Sequence, residues 1–280
     1  MVNTPDSLHY PMAREALLAG KHVVVEKPFV LTPAHGQELI DLAESRNLTL
    51  SVFQNRRWDG DFLTVRRIVE QGLLGRLVEF KSSFDRYRNF IQEDSWKEDG
   101  SSGTSLVYNL GTHLIDQALV LFGNPTAVWA DIGAIRENST IDDYFLIGLK
   151  YPQVRVWIRS SYLVREPEPR FTLHGTEGSF LKWGLDPQEQ ALKSGALPQG
   201  KSWGCEPEKE WGMLNTTLNG KHFRGAYATA PGAYQQYYNN IFAAIREGKA
   251  LEVTAHQALM GISVIEAAYS SAREGRVTEL

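Results

Sequence analysis

A charged pair follows a short apolar segment near the start of the chain. Residues 22–25 read His-Val-Val-Val, and Glu26-Lys27-Pro28 comes directly after them. Such a β-branched run is typical of a parallel strand buried on both faces, and ligands bind outside the carboxyl ends of such strands. A partly buried lysine at that place can serve as a general acid or base near neutral pH. From the tripeptide alone, a solvated Glu-Lys pair at the end of a strand is the favoured interpretation.

A polar stripe interrupts an otherwise apolar helical segment, residues 105–122. Asn109 and His113 are four residues apart and His113 and Asp116 three apart, so the three side chains share one face of a helix. Histidine is the side chain whose ordinary pKa lies nearest neutrality, which suits proton transfer. Burial of such a stripe costs free energy unless its members find hydrogen-bond partners. The spacing therefore indicates either a catalytic group or a satisfied structural network, and it does not decide between them.

The elements that would position Lys27 alternate along the first part of the chain. Strand-like segments at 1–3, 22–25 and 48–53 alternate with helical segments at 8–19 and from Thr32-Pro33 onward. Alternation at this spacing is typical of a doubly wound parallel α/β sheet. We expect a first domain of this class over residues 1–58.

After Trp58 the pattern changes to consecutive strands. Strand-like segments lie at 77–87, 126–134, 143–150, 154–162, 170–174 and 179–183. They predict an α+β second domain over residues 59–280, with a largely antiparallel sheet of about six strands. Residues 184–230 are rich in Gly, Pro, Lys and Trp and are predicted to form a long loop. The helix expected at 255–274 has one apolar face, and we expect it to pack back on the first domain.

The amino-acid composition excludes several classes of protein and of binding partner. The chain has 280 residues, of which 42% are hydrophobic and 22% charged, which excludes a disordered or fibrous protein. A net charge of −4 argues against nucleic acid as a partner. The single cysteine, Cys205, excludes a disulfide framework and a cysteine-built metal site, and we predict no metal. No apolar run of ~18 residues and no signal peptide is evident, so we expect a cytoplasmic protein without membrane partners.

The order of several motifs resembles one oxidoreductase family. The matching motifs are Thr4-Pro5 with His9-Tyr10, Glu26-Lys27-Pro28, Gln54 to Trp58, Gly111-x-His113-x-x-Asp116, His174 to Ser179 and Gly232-x-Tyr234-x-x-Tyr237-Tyr238. Their order resembles the glucose-fructose oxidoreductase / inositol dehydrogenase / MocA (Gfo/Idh/MocA) family over nearly the whole chain. The segment Gly184 to Glu189 and the Tyr234 helix are similar to the branch that contains NADP-dependent scyllo-inositol dehydrogenases.

The resemblance implies a fold, a cofactor and a reaction. A Rossmann half would bind NADP or NAD, and a second half with an open sheet would form the substrate wall and join a homodimer or homotetramer. The enzyme would transfer hydride between NAD(P) and a polyol, inositol or sugar-like alcohol or ketone.

The resemblance also implies roles for individual residues. Lys27 would act on the reacting oxygen beside His113 and Asn109, and the Lys27–Pro28 peptide bond would be cis. The implied cofactor-binding positions are Thr4, Pro5, His9, Glu26, Lys27 and Arg57.

Two departures from the family pattern qualify this hypothesis. The family most often has Asp where this chain has Asn109, and an amide cannot stabilise a protonated neighbour as a carboxylate does. In addition, the 280 residues contain no Gly-x-Gly-x-x-Gly segment, and Met1-Val2-Asn3 corresponds to the end of the family's fourth strand. We therefore expect the Rossmann domain to be a remnant in an N-terminally truncated family member with a half-built cofactor site. A non-catalytic relative that acts as a regulatory or protein-interaction module is the alternative.

Overall fold

A computed structural model describes residues 1–93, 95, 98, 100 and 103–280. Its α-helices are α1 (His9–Leu18), α2 (Pro33–Ser45), α3 (Gly60–Glu70), α4 (Thr112–Phe122), α5 (Gln188–Lys193), α6 (Gln235–Glu247) and α7 (Ala255–Glu274). Its strands are β1 (Val23–Val25), β2 (Leu50–Val52), β3 (Leu77–Ser83), β4 (Ala127–Gly133), β5 (Tyr144–Lys150), β6 (Arg155–Ser161), β7 (Phe171–Gly175), β8 (Gly178–Lys182), β9 (Gly212–Leu218), β10 (Lys221–Tyr227) and β11 (Thr278–Glu279).

The first sheet is small and parallel. β1 pairs with β2 in the register Val23 to Leu50, and Val2 forms a parallel bridge to Val25 on the other edge of β1. All three segments are buried, as the unalternating Val run predicts. Helix α2 begins at Pro33, where Thr32 caps it by accepting a hydrogen bond from the His35 N–H. The predicted α/β character of this part is confirmed.

The second sheet is mixed and larger than predicted. Its strand order is β10-β9-β8-β7-β3-β6-β5-β4-β11, nine strands among the described residues. β3 and β6 are parallel, and the other neighbouring pairs are antiparallel. The prediction of a largely antiparallel sheet is confirmed, while the expected six strands are too few.

The predicted long loop at 184–230 is wrong in part. Helix α5 and the hairpin β9–β10 lie within it. The hairpin turns at Asn219-Gly220, which both have positive φ and match a two-residue type I′ turn. β10 is mostly exposed, so the apolar alternation that would reveal a strand is missing.

Helix α7 contacts both sheets. It packs on β2 of the first sheet and the neighbouring helix α2, and on β4 of the second sheet and helix α4. Its N-terminus carries a capping box formed by Thr254 and Gln257. A π-helical turn, Val107–Gly111, precedes α4, so the predicted helix 105–122 has an irregular first turn.

Candidate functional site

The carboxyl ends of three parallel segments meet at two adjoining cavities. Asn3 and Thr4 follow the bridge at Val2, Glu26 and Lys27 follow β1, and Phe53 follows β2. The cavities have volumes of about 170 and 450 Å³. They share Glu26, Lys27, Arg88, Gln92 and Asn109. This is the crevice in which open parallel sheets bind their ligands.

Lys27 and Asn109 meet at the junction of the two cavities. Lys27 Nζ donates hydrogen bonds to the backbone oxygen and to Oδ1 of Asn109, each at 3.1 Å. The neighbouring Glu26 accepts from the Lys27 N–H at 3.1 Å, and burial raises the pKa of the Glu26 carboxyl. The Lys27–Pro28 peptide bond is cis, as the resemblance implies. The structure therefore brings Glu26 and Lys27, which follow β1, to Asn109, which lies 82 residues beyond Lys27.

His113 is buried in the wall of the larger cavity. Neither ring nitrogen forms a hydrogen bond with another described residue, and Nδ1 is fully enclosed. Burial lowers the pKa of His113 well below its ordinary value, and the positive charges of Lys27 and Arg56 lower it further. At neutral pH the ring is therefore uncharged and can either donate or accept a hydrogen bond.

Asp116 belongs to a separate contact. Its two oxygens accept from Arg57 Nε at 2.8 Å and from Nη2 at 2.6 Å. Arg57 Nη1 also donates to Glu252 O at 2.6 Å and to Gln257 Oε1 at 3.0 Å. Arg57 lines neither cavity, so the structure does not bring this predicted cofactor-binding residue to the site.

Thr4 faces the smaller cavity, whereas the predicted Pro5 and His9 do not line it. His9 is fully buried, with Nδ1 2.7 Å from Pro28 O and Nε2 3.1 Å from Thr4 O. It thereby ties the segment containing Thr4 to the one containing Lys27. The Thr4 hydroxyl is buried and has no hydrogen-bond partner in the described part of the chain.

The residues that follow Val2 and β1 fit the nicotinamide end of a dinucleotide. That end presents an amide and ribose hydroxyls, which need hydrogen-bonding groups around a crevice. The unpartnered Thr4 hydroxyl and the half-buried Glu26 carboxyl provide such groups beside Lys27.

A group of basic residues in the larger cavity was not predicted from the sequence. Arg56, Arg86, Arg88 and Lys193 line the larger cavity. Arg56 forms ion pairs with Asp59 and with Glu189, and Glu189 also accepts from Lys193. Although burial raises the pKa of Glu189, the hydrogen bonds from Lys193 and Arg56 lower it to about 2. The Arg-x-Arg spacing just beyond β3 was the available signal, because residues two apart in an extended segment point the same way.

Comparison with known proteins identifies the family. Residues 1–54 match the model described as "Oxidoreductase family, NAD-binding Rossmann fold", and residues 66–280 match "Oxidoreductase family, C-terminal alpha/beta domain". The chain belongs to the Gfo/Idh/MocA oxidoreductase family. It is thus related to NAD(P)-dependent dehydrogenases, as the motif order indicates.

Individual relatives agree with this placement. The scyllo-inositol 2-dehydrogenase (NADP(+)) IolW of Bacillus subtilis is 39% identical over 280 residues, covering 100% of this chain and 78% of that protein. A D-apiose dehydrogenase of Paraburkholderia graminis is 24% identical over 296 residues, covering 97% of this chain and 70% of that protein. The crystal structure of a putative oxidoreductase from Bacteroides fragilis is 52% identical with a TM-score of 0.92, covering 100% of this chain and 80% of that one. Nothing in these comparisons supports the non-catalytic alternative.

The described residues also lack the features of two other kinds of site. No helix in the described ranges combines the length and the apolar character needed to cross a membrane. The same residues contain no group of three or more His, Cys, Asp or Glu side chains placed to hold a metal ion.

Proposed function

We propose that this protein transfers hydride between NAD(P) and a polyol, inositol or sugar-like alcohol or ketone. The observation that carries the proposal is the position of Lys27 Nζ, 3.1 Å from Asn109 Oδ1 in a crevice that also contains His113. The relatives named as scyllo-inositol and D-apiose dehydrogenases support a substrate rich in hydroxyl groups.

In this proposal Lys27 moves the proton of the reacting oxygen. Its ammonium donates to the carbonyl oxygen during reduction, and the neutral amine accepts the hydroxyl proton during oxidation. The nicotinamide, when bound, supplies or accepts the hydride. Asn109 orients Lys27 through Oδ1, which leaves its amide N–H groups to donate to a substrate hydroxyl. The neutral ring of His113 holds the same oxygen or a neighbouring hydroxyl.

We propose two groups among the cofactor-binding residues. Thr4, Glu26 and Lys27 face the crevice and would contact the cofactor directly. Pro5, His9 and Arg57 would act by holding the surrounding backbone, as the contacts of His9 with Thr4 and Pro28 illustrate.

We also propose a domain division, an oligomeric state and a cellular location for this protein. We place the domain boundary at Trp58, with residues 1–58 as the cofactor domain and residues 59–280 as the substrate domain. α7 then packs back on the cofactor domain through α2 and β2. We also propose a cytoplasmic homodimer or homotetramer that assembles through the face of the large sheet on which Trp129 and Trp157 pack edge-to-face.

The reaction is tested by following NADH and NADPH absorbance with a panel of inositols, aldoses and the corresponding ketones. The assay uses the 280-residue chain and the same chain preceded by any in-frame genomic sequence upstream of Met1. Lys27→Met should lower kcat by about 10²–10⁴-fold, since a positioned proton donor is lost, and should change cofactor affinity only a few-fold. Lys21→Met, at an exposed position between α1 and β1, is the matched control. Absence of turnover with both cofactors across the panel contradicts the proposal.

A further inference from the structure

Two arginines that line the larger cavity have no carboxylate partner among the described residues. Arg86 and Arg88 lie just beyond the end of β3 and line the same cavity as Lys27 and His113. Within the described part of the chain, neither guanidinium forms an ion pair or a hydrogen bond. Other buried arginines near the site are neutralised, Arg56 by Asp59 and Arg57 by Asp116. Arg86 and Arg88, which we name the arginine pair, differ from these because no carboxylate of the described residues neutralises them. Their guanidinium groups can donate hydrogen bonds to a bound ligand.

The backbone holds the arginine pair in a fixed extended segment. The Arg86 N–H donates to Ser161 O at 2.9 Å, and Arg86 O accepts from the Val164 N–H at 3.1 Å. The Arg88 N–H donates to Tyr162 O at 2.7 Å. Since successive side chains of an extended segment point to opposite sides, Arg86 and Arg88 point to the same side.

Aromatic rings hold the two guanidinium groups. Arg86 Cζ lies 5.5 Å from the centre of the Phe84 ring, and Arg88 Cζ lies 5.3 Å from that of Tyr162. A ring face stabilises the positive charge without using the N–H groups at the guanidinium edge. Those N–H groups therefore remain available for planar, two-point recognition of an oxyanion.

The electrostatics of the cavity favour the same ligand. Burial lowers the pKa of Arg86, and the positive charge of Arg88 lowers it further. Arg56 adds positive charge beside the same Phe84 ring, with its Cζ 5.0 Å from the ring centre. A bound anion would relieve this repulsion, whereas a neutral polyol would not.

We propose that the substrate carries a carboxylate or phosphate group, which the arginine pair binds while Lys27 and His113 hold the reacting carbon–oxygen bond. The substrate class is then an acidic sugar: a uronate, an aldonate or a sugar phosphate. This inference rests on the proposed function and narrows its substrate. A phosphate of the cofactor is the other possible source of an oxyanion, and the experiment separates the two.

The test is calorimetric binding to the protein of acidic and neutral partners of matched shape. The pairs are D-glucuronate with D-glucose, and an inositol monophosphate with scyllo-inositol. Pyrophosphate and NADPH are titrated separately. We expect at least one acidic sugar to bind tenfold or more tighter than its neutral partner. Arg86→Gln and Arg88→Gln should each remove that preference.

Arg165→Gln is the matched control. Arg165 stacks on Tyr87 at 5.2 Å in the same region, but it is exposed and lines neither cavity. The Arg165→Gln variant should bind acidic sugars with the same affinity as the unchanged protein. If Arg86→Gln fails to fold by circular dichroism, Arg86→Lys and Arg88→Gln carry the test, because lysine keeps the charge but loses the two-point contact.

Equal affinity for acidic and neutral sugars overturns the inference. So does a loss of affinity in the arginine variants that is confined to pyrophosphate and NADPH, which would assign the arginine pair to the cofactor. Failure of the proposed function looks different. In that case acidic sugars bind through the arginine pair, yet neither they nor neutral sugars are oxidised or reduced with either cofactor.

Discussion

At the scale of single residues, the contact between Lys27 Nζ and Asn109 Oδ1 places an uncharged oxygen beside the lysine. Asn109→Asp places a carboxylate at this position and favours the charged lysine, which raises its pKa by about one unit or more. Oxidation of an alcohol needs the neutral amine, so its pH–rate profile should move to higher pH in the variant. Asn55→Asp adds a charge to the same cavity without contacting Lys27 and is the control. An equal shift in both variants would show that the direct contact does not matter.

His113 should make stability depend on pH. Its pKa in the folded protein lies well below 6.5, because burial disfavours the charged ring. Below about pH 6.5 the unfolded chain therefore binds a proton that the folded protein does not, and stability falls as pH falls. For this group the slope is at most about 1.4 kcal/mol per pH unit, and stability is fully retained above pH 6.5.

Chemical unfolding between pH 5 and pH 8 measures this effect. His113→Gln should flatten the dependence relative to the unchanged protein. His256→Gln, at a histidine with an exposed side chain, should leave it unaltered. A parallel pH dependence in the unchanged protein and His113→Gln would show that the ring is not held neutral.

The sequence pointed to Lys27, Asn109 and His113, which the structure brings to one crevice, but it did not show that Arg57 pairs with Asp116 outside that crevice. Helical spacing shows that His113 and Asp116 share a face, yet it does not show which other element meets each end of that face. In the fold, the segment after β2 brings Arg57 to Asp116, while the cavity reaches only to His113. The arginine pair was not predicted, because the sequence does not show whether a carboxylate lies beside each guanidinium in the fold.

At the scale of elements, the buried pair between Arg57 and Asp116 fixes α4 to the segment after β2, and Arg57 also donates to Gln257 at the start of α7. Asp116→Ala leaves Arg57 buried without its carboxylate, which should lower the free energy of unfolding by about 3–5 kcal/mol. Denaturant unfolding measures the loss. Glu38→Ala breaks the exposed pair with Arg14 and should hardly move the midpoint. Comparable losses in the two variants would contradict an anchoring role for Asp116.

Helices and strands could be predicted where their buried apolar residues recur at the spacing of a helix or a strand. α7 spans Ala255–Glu274, the predicted range, because its apolar face recurs at helical spacing and Gly275 ends it in the left-handed conformation. β10 was missed because its side chains are mostly in solvent and its sequence shows no alternation. Asn219-Gly220 was a usable local signal for that hairpin.

At the scale of the whole molecule, the proposed assembly through the large sheet predicts how size responds to mutation. Trp129 is 38% exposed and packs on Trp157 at 6.2 Å, which leaves apolar surface on the sheet face. Light scattering should report a dimer or tetramer, and Trp129→Glu should convert it to smaller species. Phe242→Glu, at an exposed position of α6 outside the sheet, is the control. A monodisperse monomer of the unchanged protein at micromolar concentration would contradict the assembly.

The position of β3 in the middle of the large sheet has a consequence for how the protein is made. Its two neighbours are β6 and β7, which begin at Arg155 and Phe171, whereas the strands on either side of them pair mostly with sequence neighbours. Contacts between distant segments carry the loop-closure entropy that slows folding. During synthesis β3 stays unpaired until β6, which ends at Ser161, has been made, and its second edge stays open until β7, which ends at Gly175, has followed. The backbone of Arg86 and Arg88 forms hydrogen bonds with Ser161, Tyr162 and Val164. These two arginines therefore reach their final positions only after residue 164 has been synthesised.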